Sequence, residues 1–338
     1  MALIEAKSTN NFAKEIRRLA VTQWRKHLKP RRALGLIENV AFRLAEVRRK
    51  ISPALKRSRL LLFVGDHGIA FQGVSAMEPG ATAHLLDRIA AGGTAANIFC
   101  RHFGIELKTF DVGSRYEGKL PDTINDCRVG FGTSDISVEP AMTSEQRDLA
   151  IEHGKRAVYR AVEEGIDLCG VGEIGIGNTS VAASLTSALL GLKPEKTVDR
   201  GTGISKQQMQ LKRGLVDKAL KLHIKMLTDP LNCLRAIGGF EFAGIVGAIL
   251  ACSETRTPVV IDGFATSVSA LIASRLSPSV SEVLFFSHIT RERGQRYILE
   301  AFKQKPLFNL KMALGEGTGA AIGMDLVLLS SQLLADID

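Results

Sequence analysis

Continuous hydrophobic runs alternate along the chain with segments whose apolar residues recur at helical spacing. Buried strands are predicted from the runs at 59–65, 106–112, 165–169, 258–264 and 283–286. Helical segments separate these runs, and connections of that kind join parallel strands. The pattern therefore predicts an α/β fold built on a doubly wound, mostly parallel sheet.

Helical spacing also predicts a smaller helical subdomain made from the two ends of the chain. Helices are expected at 11–28 and 33–50, separated by Pro30, and a final apolar helix reaches Leu334. Residues 114–142 carry no regular pattern. Interior helices are predicted at 81–90, 143–164, 180–190, 205–228 and 240–252, with others ending at Phe103 and beginning near Arg296. The predicted organisation is a helical N-terminal region 1–58, an α/β domain 59–310, and a glycine loop with the last helix 311–338.

A glycine-rich stretch, 170–179, precedes the predicted helix 180–190, with Asn178 or Thr179 as the expected N-cap. Converging backbone N–H groups at a helix N-terminus bind anions such as phosphate. The same glycines also suit a tight structural turn, and that alternative stays open. An acid is unhelpful for holding phosphate, so Glu173 is expected to face a reacting group or a cation.

Two glycine loops each carry a carboxylate, Glu173 in the first and Glu316 in the Gly-Glu-Gly-Thr-Gly loop 315–319. A glutamate flanked by glycines at a helix start has little cover, so its protonation is set by whatever binds beside it. Such a group suits general-base chemistry, because a ligand that excludes water raises its pKa. The alternative is a glutamate favoured near a helix N-terminus by the macrodipole, worth under about 1 kcal/mol. Two such loops in one chain favour a shared site.

Polar residues stand at the carboxyl ends of predicted strands, where open α/β sheets bind ligands. Asp66 and His67 follow the first strand and are functional candidates; the alternative is a loop aspartate that caps a turn. Asp262 and Ser287 end two later strands. The loop 200–203, Arg-Gly-Thr-Gly, is a second candidate anion site.

The positive charge of the chain leaves open what its basic residues bind. The chain of 338 residues has a formal net charge of +9, and much of the positive charge lies early. A basic surface suits nucleic acid, anionic small substrates or a solvated helix face. Aromatic residues are not interleaved with the basic ones and no zinc module is present, so a solvated face is favoured and nucleic acid is not expected.

Cysteine usage and hydropathy indicate the compartment. The five cysteines are dispersed without Cys-x-x-Cys spacing, which indicates reduced thiols rather than a disulfide framework or zinc site. No apolar run approaches the length of about 18 residues that a membrane span needs. The first residues lack the pattern of a secretory signal. We expect a cytoplasmic protein without a membrane partner.

A series of short motifs occurs in order along nearly the whole chain. The motifs are Asp66-His67-Gly68-Ile69-Ala70, Gly73-Val74-Ser75-Ala76, Ala91-Gly92-Gly93, Asp111-Val112-Gly113, Glu139-Pro140-Ala141-Met142-Thr143, Gly172-Glu173-Ile174-Gly175-Ile176-Gly177-Asn178-Thr179, Arg200-Gly201-Thr202-Gly203, Gly238-Gly239-Phe240-Glu241, Asp262-Gly263-Phe264 and Leu314-Gly315-Glu316-Gly317-Thr318-Gly319. Together they make the chain resemble the nicotinate-nucleotide–dimethylbenzimidazole phosphoribosyltransferases of cobalamin nucleotide-loop assembly.

The resemblance implies a reaction in which nicotinate mononucleotide and a benzimidazole give an α-ribazole phosphate and nicotinate. The leaving group starts as a pyridinium, departs neutral and needs no general acid, while the sugar carbon becomes oxocarbenium-like. The incoming base must lose a proton from its second nitrogen, and the resemblance implies that Glu316 accepts it as general base. Glu173 is implied as a second acid that steers the base or stabilises charge.

The resemblance also implies how the substrates bind. Loop backbone would hold phosphate, ribose or the nicotinate carboxylate, Lys212 would supply positive charge, and no metal or other cofactor is needed. Family members are homodimers, for which the small-residue helix 240–252 is the expected packing surface. The implied substrate-binding residues are Asp66, His67, Ser75, His84, Gly175, Gly177, Asn178, Thr179, Arg200, Gly201, Thr202, Gly203, Lys212, Asp262, Ser287, Gly315, Gly317, Thr318 and Gly319.

Three segments depart from the family pattern and are expected to shape the base pocket or its lid. The departing residues are Arg32, Ala33, Met77, Glu78, His84, Arg293 and Gln295. They predict an altered base preference, such as a different benzimidazole, a purine or a phenol.

Two other functions stay open. A nucleotide-dependent dehydrogenase or kinase would need a Gly-Lys-Ser/Thr loop, which the sequence lacks, or a G-x-G-x-x-G motif directly after the first strand, where the chain instead has Gly65-Asp66-His67-Gly68. A non-catalytic binder of a nucleotide or base is compatible with the departures, but the presence of both loop glutamates favours catalysis.

Overall fold

The computed structural model describes residues 2–26, 32–201 and 203–335. Within them, six parallel strands form one sheet with the order β3-β2-β1-β4-β5-β6. The strands are β1 Ser58–Gly65, β2 Glu106–Gly113, β3 Ile124–Asp126, β4 Leu168–Ile174, β5 Val259–Ile261 and β6 Leu284–Phe286. The order reverses between β1 and β4, and in such sheets ligands bind at the carboxyl ends of the strands beside this reversal.

Helices connect the strands. They are α1 Ala2–Trp24, α2 Leu36–Arg48, α3 Ala81–Ala90, α4 Ala95–Phe103, α5 Ser144–Glu163, α6 Asn178–Leu190, α7 Pro194–Thr197, α8 Lys206–Leu222, α9 Pro230–Ile237, α10 Phe240–Glu254, α11 Phe264–Leu276, α12 Val280–Val283, α13 Gly294–Phe302 and α14 Thr318–Ala335. A 3₁₀ turn spans Gly68–Gln72.

Helices α10 and α14 cover opposite faces of the central strands. Phe63 of β1 contacts Gly244 of α10, whereas Leu60 of β1 lies against Gly317 at the start of α14. Positions an odd number of residues apart on a strand point to opposite faces. The predicted doubly wound α/β fold is therefore confirmed.

Strand β4 is longer than predicted. The prediction ended it at Cys169 and assigned the following glycines to a loop, but the strand continues to Ile174. A Cβ on Gly170 would lie 2.4 Å from the Met324 sulfur, and one on Gly172 would lie 2.5 Å from the Gly317 Cα. These glycines allow α14 to approach the strand, so the loop assignment was wrong.

Two helices begin with different kinds of N-cap. Thr143 caps α5 and forms a capping box with Gln146. Helix α6, in contrast, has Gly177 as its N-cap at φ 95°, so the expected cap at Asn178 or Thr179 was wrong. Glycine adopts this left-handed conformation without steric cost.

A second, smaller hydrophobic core joins the two ends of the chain. Side chains of α1 and α2 pack there with Leu334 of α14, which forms the predicted smaller helical unit. The boundaries at residues 58 and 310 stay predictions, and Pro30 lies outside the described residues. The members of this core are Ile16, Ala20, Trp24, Ala41, Phe42, Ala45 and Leu334.

Helix α10 is buried inside the chain, so its assignment as a dimer surface was wrong. A Cβ on Gly247 would lie 1.9 Å from the carbonyl oxygen of Ile151 in α5, and one on Gly154 of α5 would lie 1.8 Å from the Gly244 carbonyl oxygen. The small residues thus let two helices of one chain touch. In the described segments, no helix is both long and apolar enough to cross a membrane.

Candidate active site

Loops from both halves of the sheet meet at the carboxyl ends of β1, β4 and β5. The two glutamate loops are in direct contact there. A Cβ on Gly172 would lie 2.7 Å from the Gly317 nitrogen, and one on Gly315 would lie 3.3 Å from Oε1 of Glu173. Glu173 and Glu316, 143 positions apart in the sequence, therefore lie close together at the carboxyl edge of the sheet.

Glu173 is a buried strand residue and not the bare loop residue that was predicted. Its side chain is enclosed because β4 continues past it, and its Oε2 accepts a hydrogen bond from the Asn178 amide. Burial, reinforced by the charges of Glu241 and Asp262, raises the pKa of Glu173 to about 8, with Asn178 acting in the opposite direction. Glu173 is therefore mostly protonated at neutral pH and can donate a hydrogen bond.

Glu316 differs from Glu173 in its exposure and in its hydrogen bonding. It is half-buried, and its Oε2 is shielded from solvent without a hydrogen-bond partner among the described residues. Burial raises the pKa of Glu316, while the Arg88 charge and the Ala96 backbone amide lower it and Asp262 raises it further. An unpartnered carboxylate oxygen of this kind is able to accept a proton.

The backbone at Glu316 is strained. Its φ is 58°, between Gly315 at 83° and Gly317 at 74°. A left-handed conformation at a non-glycine residue costs on the order of 1 kcal/mol and persists where the surroundings enforce it. The two flanking glycines and the contact with β4 supply that enforcement, which explains the Gly-Glu-Gly sequence.

Asp262 supports this loop and does not face open space. Its Oδ1 accepts a hydrogen bond from the Ala320 amide at 2.8 Å, and its Oδ2 accepts one from the Gly317 amide at 3.2 Å. Ser287 Oγ donates to the Asp262 carbonyl at 2.9 Å and lies 2.8 Å from His288 Nδ1. Both side chains are fully buried, so these contacts favour a supporting role over the predicted contact with substrate.

Asp66 and His67 are also engaged within the protein. Asp66 accepts hydrogen bonds from the Thr82 hydroxyl and from the Arg115 amide. His67 Nε2 lies 2.6 Å from Glu241 Oε1, and both side chains are fully buried. These hydrogen bonds favour the alternative interpretation of Asp66, in which it caps a turn.

The two predicted anion loops do come together. They line a small cleft of about 50 Å³, which opens beside a groove of about 490 Å³ that shares Ser75 and Met77 with it. Helix α6 begins at this cleft, so its N-terminal dipole favours an anion there. Predicted residues that line the cleft are Ser75, Gly175, Gly177, Asn178, Thr179, Arg200 and Gly201. Thr202 lies outside the described residues, and Gly203 does not line the cleft.

Lys212 lies directly behind the cleft and is fully buried. Its Nζ donates to Thr179 Oγ1 at 2.7 Å and to the Asp199 carbonyl at 3.3 Å. Burial lowers the pKa of Lys212, and the charges of Glu292 and Asp199 partly restore it. A buried ammonium tied to one wall of the cleft adds positive potential for an anion.

The departing residues fall into different environments. Met77 and Glu78 line the larger groove, whereas His84 is exposed on α3 and lines neither cavity. Gln295 is fully buried, accepting from the Thr290 amide at 2.7 Å. Arg293 pairs with Asp199 at 3.1 Å. Of these positions, Met77 and Glu78 border a groove that a base could occupy.

The remaining predicted residues belong to the Glu316 loop. Thr318 and Gly319 are buried at the start of α14, and Thr318 Oγ1 donates to the Gly315 carbonyl at 2.8 Å. A Cβ on Gly319 would lie 2.1 Å from His288 Nδ1. Gly317 and Gly319 thus permit close packing beneath the loop.

Sequence reasoning missed two charged residues of the site. Glu241 acts on Glu173, and its only sequence signal was its place in Gly238-Gly239-Phe240-Glu241. Arg88 acts on Glu316, and a single arginine in an ordinary helix gives no signal. No group of three or more His, Cys, Asp and Glu side chains in the described part of the chain is arranged to hold a metal ion.

Comparison with known proteins identifies the family. A family model described as Phosphoribosyltransferase matches residues 9–338. The chain is 42% identical over 299 residues to the nicotinate-nucleotide–dimethylbenzimidazole phosphoribosyltransferase of Shewanella amazonensis, covering 88% of this chain and 87% of that protein. It is 40% identical over 309 residues to the protein of the same name from Thermus thermophilus, covering 90% and 91%.

A solved structure agrees with these sequence matches. The crystal structure of CobT from Thermus thermophilus aligns with a TM-score of 0.91 at 37% identity, covering 95% of this chain and 96% of that chain. Fold and sequence thus lead to the same assignment. The chain therefore belongs to the nicotinate-nucleotide–dimethylbenzimidazole phosphoribosyltransferase family and is a pentosyltransferase.

Proposed function

We propose that this enzyme transfers the phosphoribosyl group of nicotinate mononucleotide to a benzimidazole-like base, releasing nicotinate and activating the lower ligand of cobalamin. The observation that carries the proposal is the contact between the two glutamate loops. It brings a protonated carboxyl, Glu173, and an unpartnered carboxylate oxygen of Glu316 to one site.

The chemistry needs one proton acceptor. One nitrogen of the base attacks C1 of the ribose as the neutral nicotinate ring leaves, and the second nitrogen loses its proton. With a phenol, the hydroxyl oxygen attacks and loses its own proton. Glu316 takes that proton, a contribution of roughly 10²–10⁴-fold. Attack from the face opposite nicotinate inverts the sugar carbon and gives the α-riboside 5'-phosphate.

Glu173 assists in its protonated form. Its carboxyl donates a hydrogen bond to a lone pair of the base or of the nucleotide and so orients it beside Glu316. A second ionised carboxylate at this place would repel the first, and the raised pKa of Glu173 avoids that repulsion.

The anion cleft holds the 5'-phosphate. The cleft lies at the N-terminus of α6, whose dipole favours an anion, and Lys212 and Arg200 supply positive charge. This placement directs the sugar toward the two glutamates at the end of β4.

The base preference is expected to differ from dimethylbenzimidazole, because Met77 and Glu78 replace family residues on the larger groove. A different benzimidazole, a purine or a phenol is the proposed acceptor.

Product analysis tests the proposal. The protein is mixed with nicotinate mononucleotide and a panel of benzimidazoles, purines and phenols, and mass spectrometry detects the α-riboside phosphate and nicotinate. Formation of a product with one of these bases supports the transferase. A clear preference for dimethylbenzimidazole removes the altered specificity, and binding of nicotinate mononucleotide without product from any base contradicts the proposed reaction.

A further inference from the structure

An exposed phenylalanine stands on a firmly held turn beside the anion cleft. Phe71 belongs to the 3₁₀ turn Gly68–Gln72, and it is 62% exposed. A Cβ on Gly68 would lie 2.5 Å from the Asp135 nitrogen, and Gln72 Nε2 donates to Asp135 Oδ2 at 2.7 Å. The backbone that carries Phe71 is thus packed against the neighbouring loop. A single exposed apolar residue is ordinary on a protein surface, so its surroundings decide whether it has a role.

An arginine lies over one face of the Phe71 ring. The guanidinium carbon of Arg115 is 5.2 Å from the centre of that ring. Arg115 is itself held in place, because its amide donates to Asp66 Oδ2 at 2.8 Å and its Nη2 donates to the Thr133 carbonyl at 3.2 Å. A cation over an aromatic face attracts the ring and limits its movement. The other face of the ring is the one that can receive a second planar group.

The ring lines the groove of about 490 Å³ that opens beside the anion cleft. Groove and cleft share Ser75 and Met77, so one ligand or two adjoining ligands can occupy both. With Phe71, the side chains of Met77 and Pro79 give the groove apolar surface. Its volume lies in the range of small-molecule sites, whereas the cleft, at about 50 Å³, is far smaller. The groove is therefore the space that suits an aromatic ring system.

We propose that Phe71 is a specificity-determining residue: its ring is the surface on which the planar base stacks in the groove. The inference rests on the proposed function, and it narrows the acceptor to the fused-ring bases, benzimidazoles and purines, over phenols. Attraction between stacked rings grows with the number of atoms in contact, and a fused ring system covers more of Phe71 than a single ring does.

Phe131 offers a matched control for this proposal. It is also 62% exposed, and the guanidinium carbon of Arg128 lies 5.3 Å from the centre of its ring. Phe131 is not among the described residues that line the groove. A difference between substitutions of Phe71 and Phe131 therefore reports on the groove, and not on the loss of an exposed ring beside an arginine.

The test measures the Kd of benzimidazole, adenine and phenol by ligand-observed NMR, without nucleotide, so that no turnover is needed. Phe71→Leu keeps an apolar side chain but removes the planar face. Its Kd for benzimidazole and for adenine should rise about three- to tenfold, and its Kd for phenol by less than about twofold. Phe71→Tyr keeps a ring and Phe131→Leu leaves the groove intact, so both should bind all three compounds within about twofold of wild type.

Steady-state rates give a second readout. With the fused-ring base that wild type uses best, Phe71→Leu should raise the KM for the base by a similar factor. Its KM for nicotinate mononucleotide and its kcat should stay within about twofold of wild type, because Phe71 lines the groove and not the cleft. An increase confined to the KM for nicotinate mononucleotide would overturn the proposal, since Phe71 would then contact the nucleotide.

Other results would also overturn the proposal. Equal Kd values of benzimidazole and adenine for Phe71→Leu and wild type reject the stacking surface, even if wild type forms product. Equal losses for benzimidazole and phenol reject the selection of fused rings, and no measurable binding of either fused-ring base to wild type rejects both. A changed oligomeric state of Phe71→Leu in size-exclusion chromatography, with unchanged Kd values, would make Phe71 a contact between subunits. Binding that depends on Phe71 without product from any base contradicts the proposed reaction and supports the stacking surface.

Discussion

Replacing Glu173 with glutamine is expected to make the protein progressively more stable than wild type as the pH rises from 5 to 8. The pKa of Glu173 is raised from 4.5 to about 8 by burial and by neighbouring carboxylates. The unfolded chain loses this proton near its ordinary pKa, so folding takes up a proton between those two values. The stability that protonated Glu173 provides is complete below the unfolded pKa and is lost as the pH rises to the folded pKa.

Folding takes up one proton, and this sets the magnitude. Each rise of one pH unit lowers the free energy of unfolding of wild type by at most about 1.4 kcal/mol, so three units lower it by up to about 4 kcal/mol. For a chain of this size that corresponds to a melting-temperature gap of roughly 5 °C. Glutamine keeps the shape of the side chain and can still accept the hydrogen bond of Asn178, but it has no proton to lose.

Thermal unfolding of wild type and Glu173→Gln at pH 5, 6, 7 and 8 and constant ionic strength measures the gap. Other buried carboxyls titrate in both proteins and cancel in the difference. The exposed Glu300→Gln is the control and should track wild type. Parallel curves for Glu173→Gln and wild type would mean that Glu173 is ionised throughout, and its role as a hydrogen-bond donor would be withdrawn.

Two further substitutions test the anion cleft and the support of the catalytic loop. Lys212→Met removes a buried charge but keeps the volume of the side chain, so the KM for nicotinate mononucleotide should rise on the order of tenfold. Steady-state rates measure this KM, and Lys206→Met, at an exposed position of the same helix, is the control. Equal KM values for Lys212→Met and wild type would count against a phosphate site at this cleft. Asp262→Asn turns an amide donor toward the backbone amide of Gly317 or Ala320. Calorimetry should therefore show that the free energy of unfolding falls by about 1–3 kcal/mol, and kcat should fall because Glu316 moves. An unchanged melting temperature and an unchanged kcat would refute the supporting role.

The strands were predictable where burial on both faces leaves a continuous apolar run. Strand β1 contains Leu60, Leu61, Leu62, Phe63 and Val64, all without solvent exposure. Strand β3 was not predicted, because it has three residues and one of them, Ile124, is apolar. It is a strand because it pairs with β2, and the sequence of so short a segment carries no pattern that reveals this non-local contact.

The glycines of β4 show how sequence can mislead. Gly170 and Gly172 resemble loop residues, but their conformation is extended and their role is to admit Met324 and Gly317. The reason for each glycine lies more than a hundred residues away in the sequence. Burial of Glu173, and hence its raised pKa, follows from the same packing and could not be foreseen.

The site was predictable as far as the two glutamate loops and the anion loops. Their chemistry is carried by short local patterns that sequence displays directly. The supporting roles of Asp262 and Ser287 depend on hydrogen bonds between separate strands and helices. The electrostatic influence of Arg88 on Glu316 likewise acts between residues that are distant in the sequence.

Substitution of the proposed general base tests the central claim most directly. Glu316→Gln keeps the shape of the loop and removes the proton acceptor, with Glu300→Gln as the exposed control. We predict that kcat with the best base of the panel falls by roughly 10²–10⁴-fold while the Kd of nicotinate mononucleotide, measured by calorimetry, stays within about threefold of wild type. Turnover equal to wild type would contradict the account.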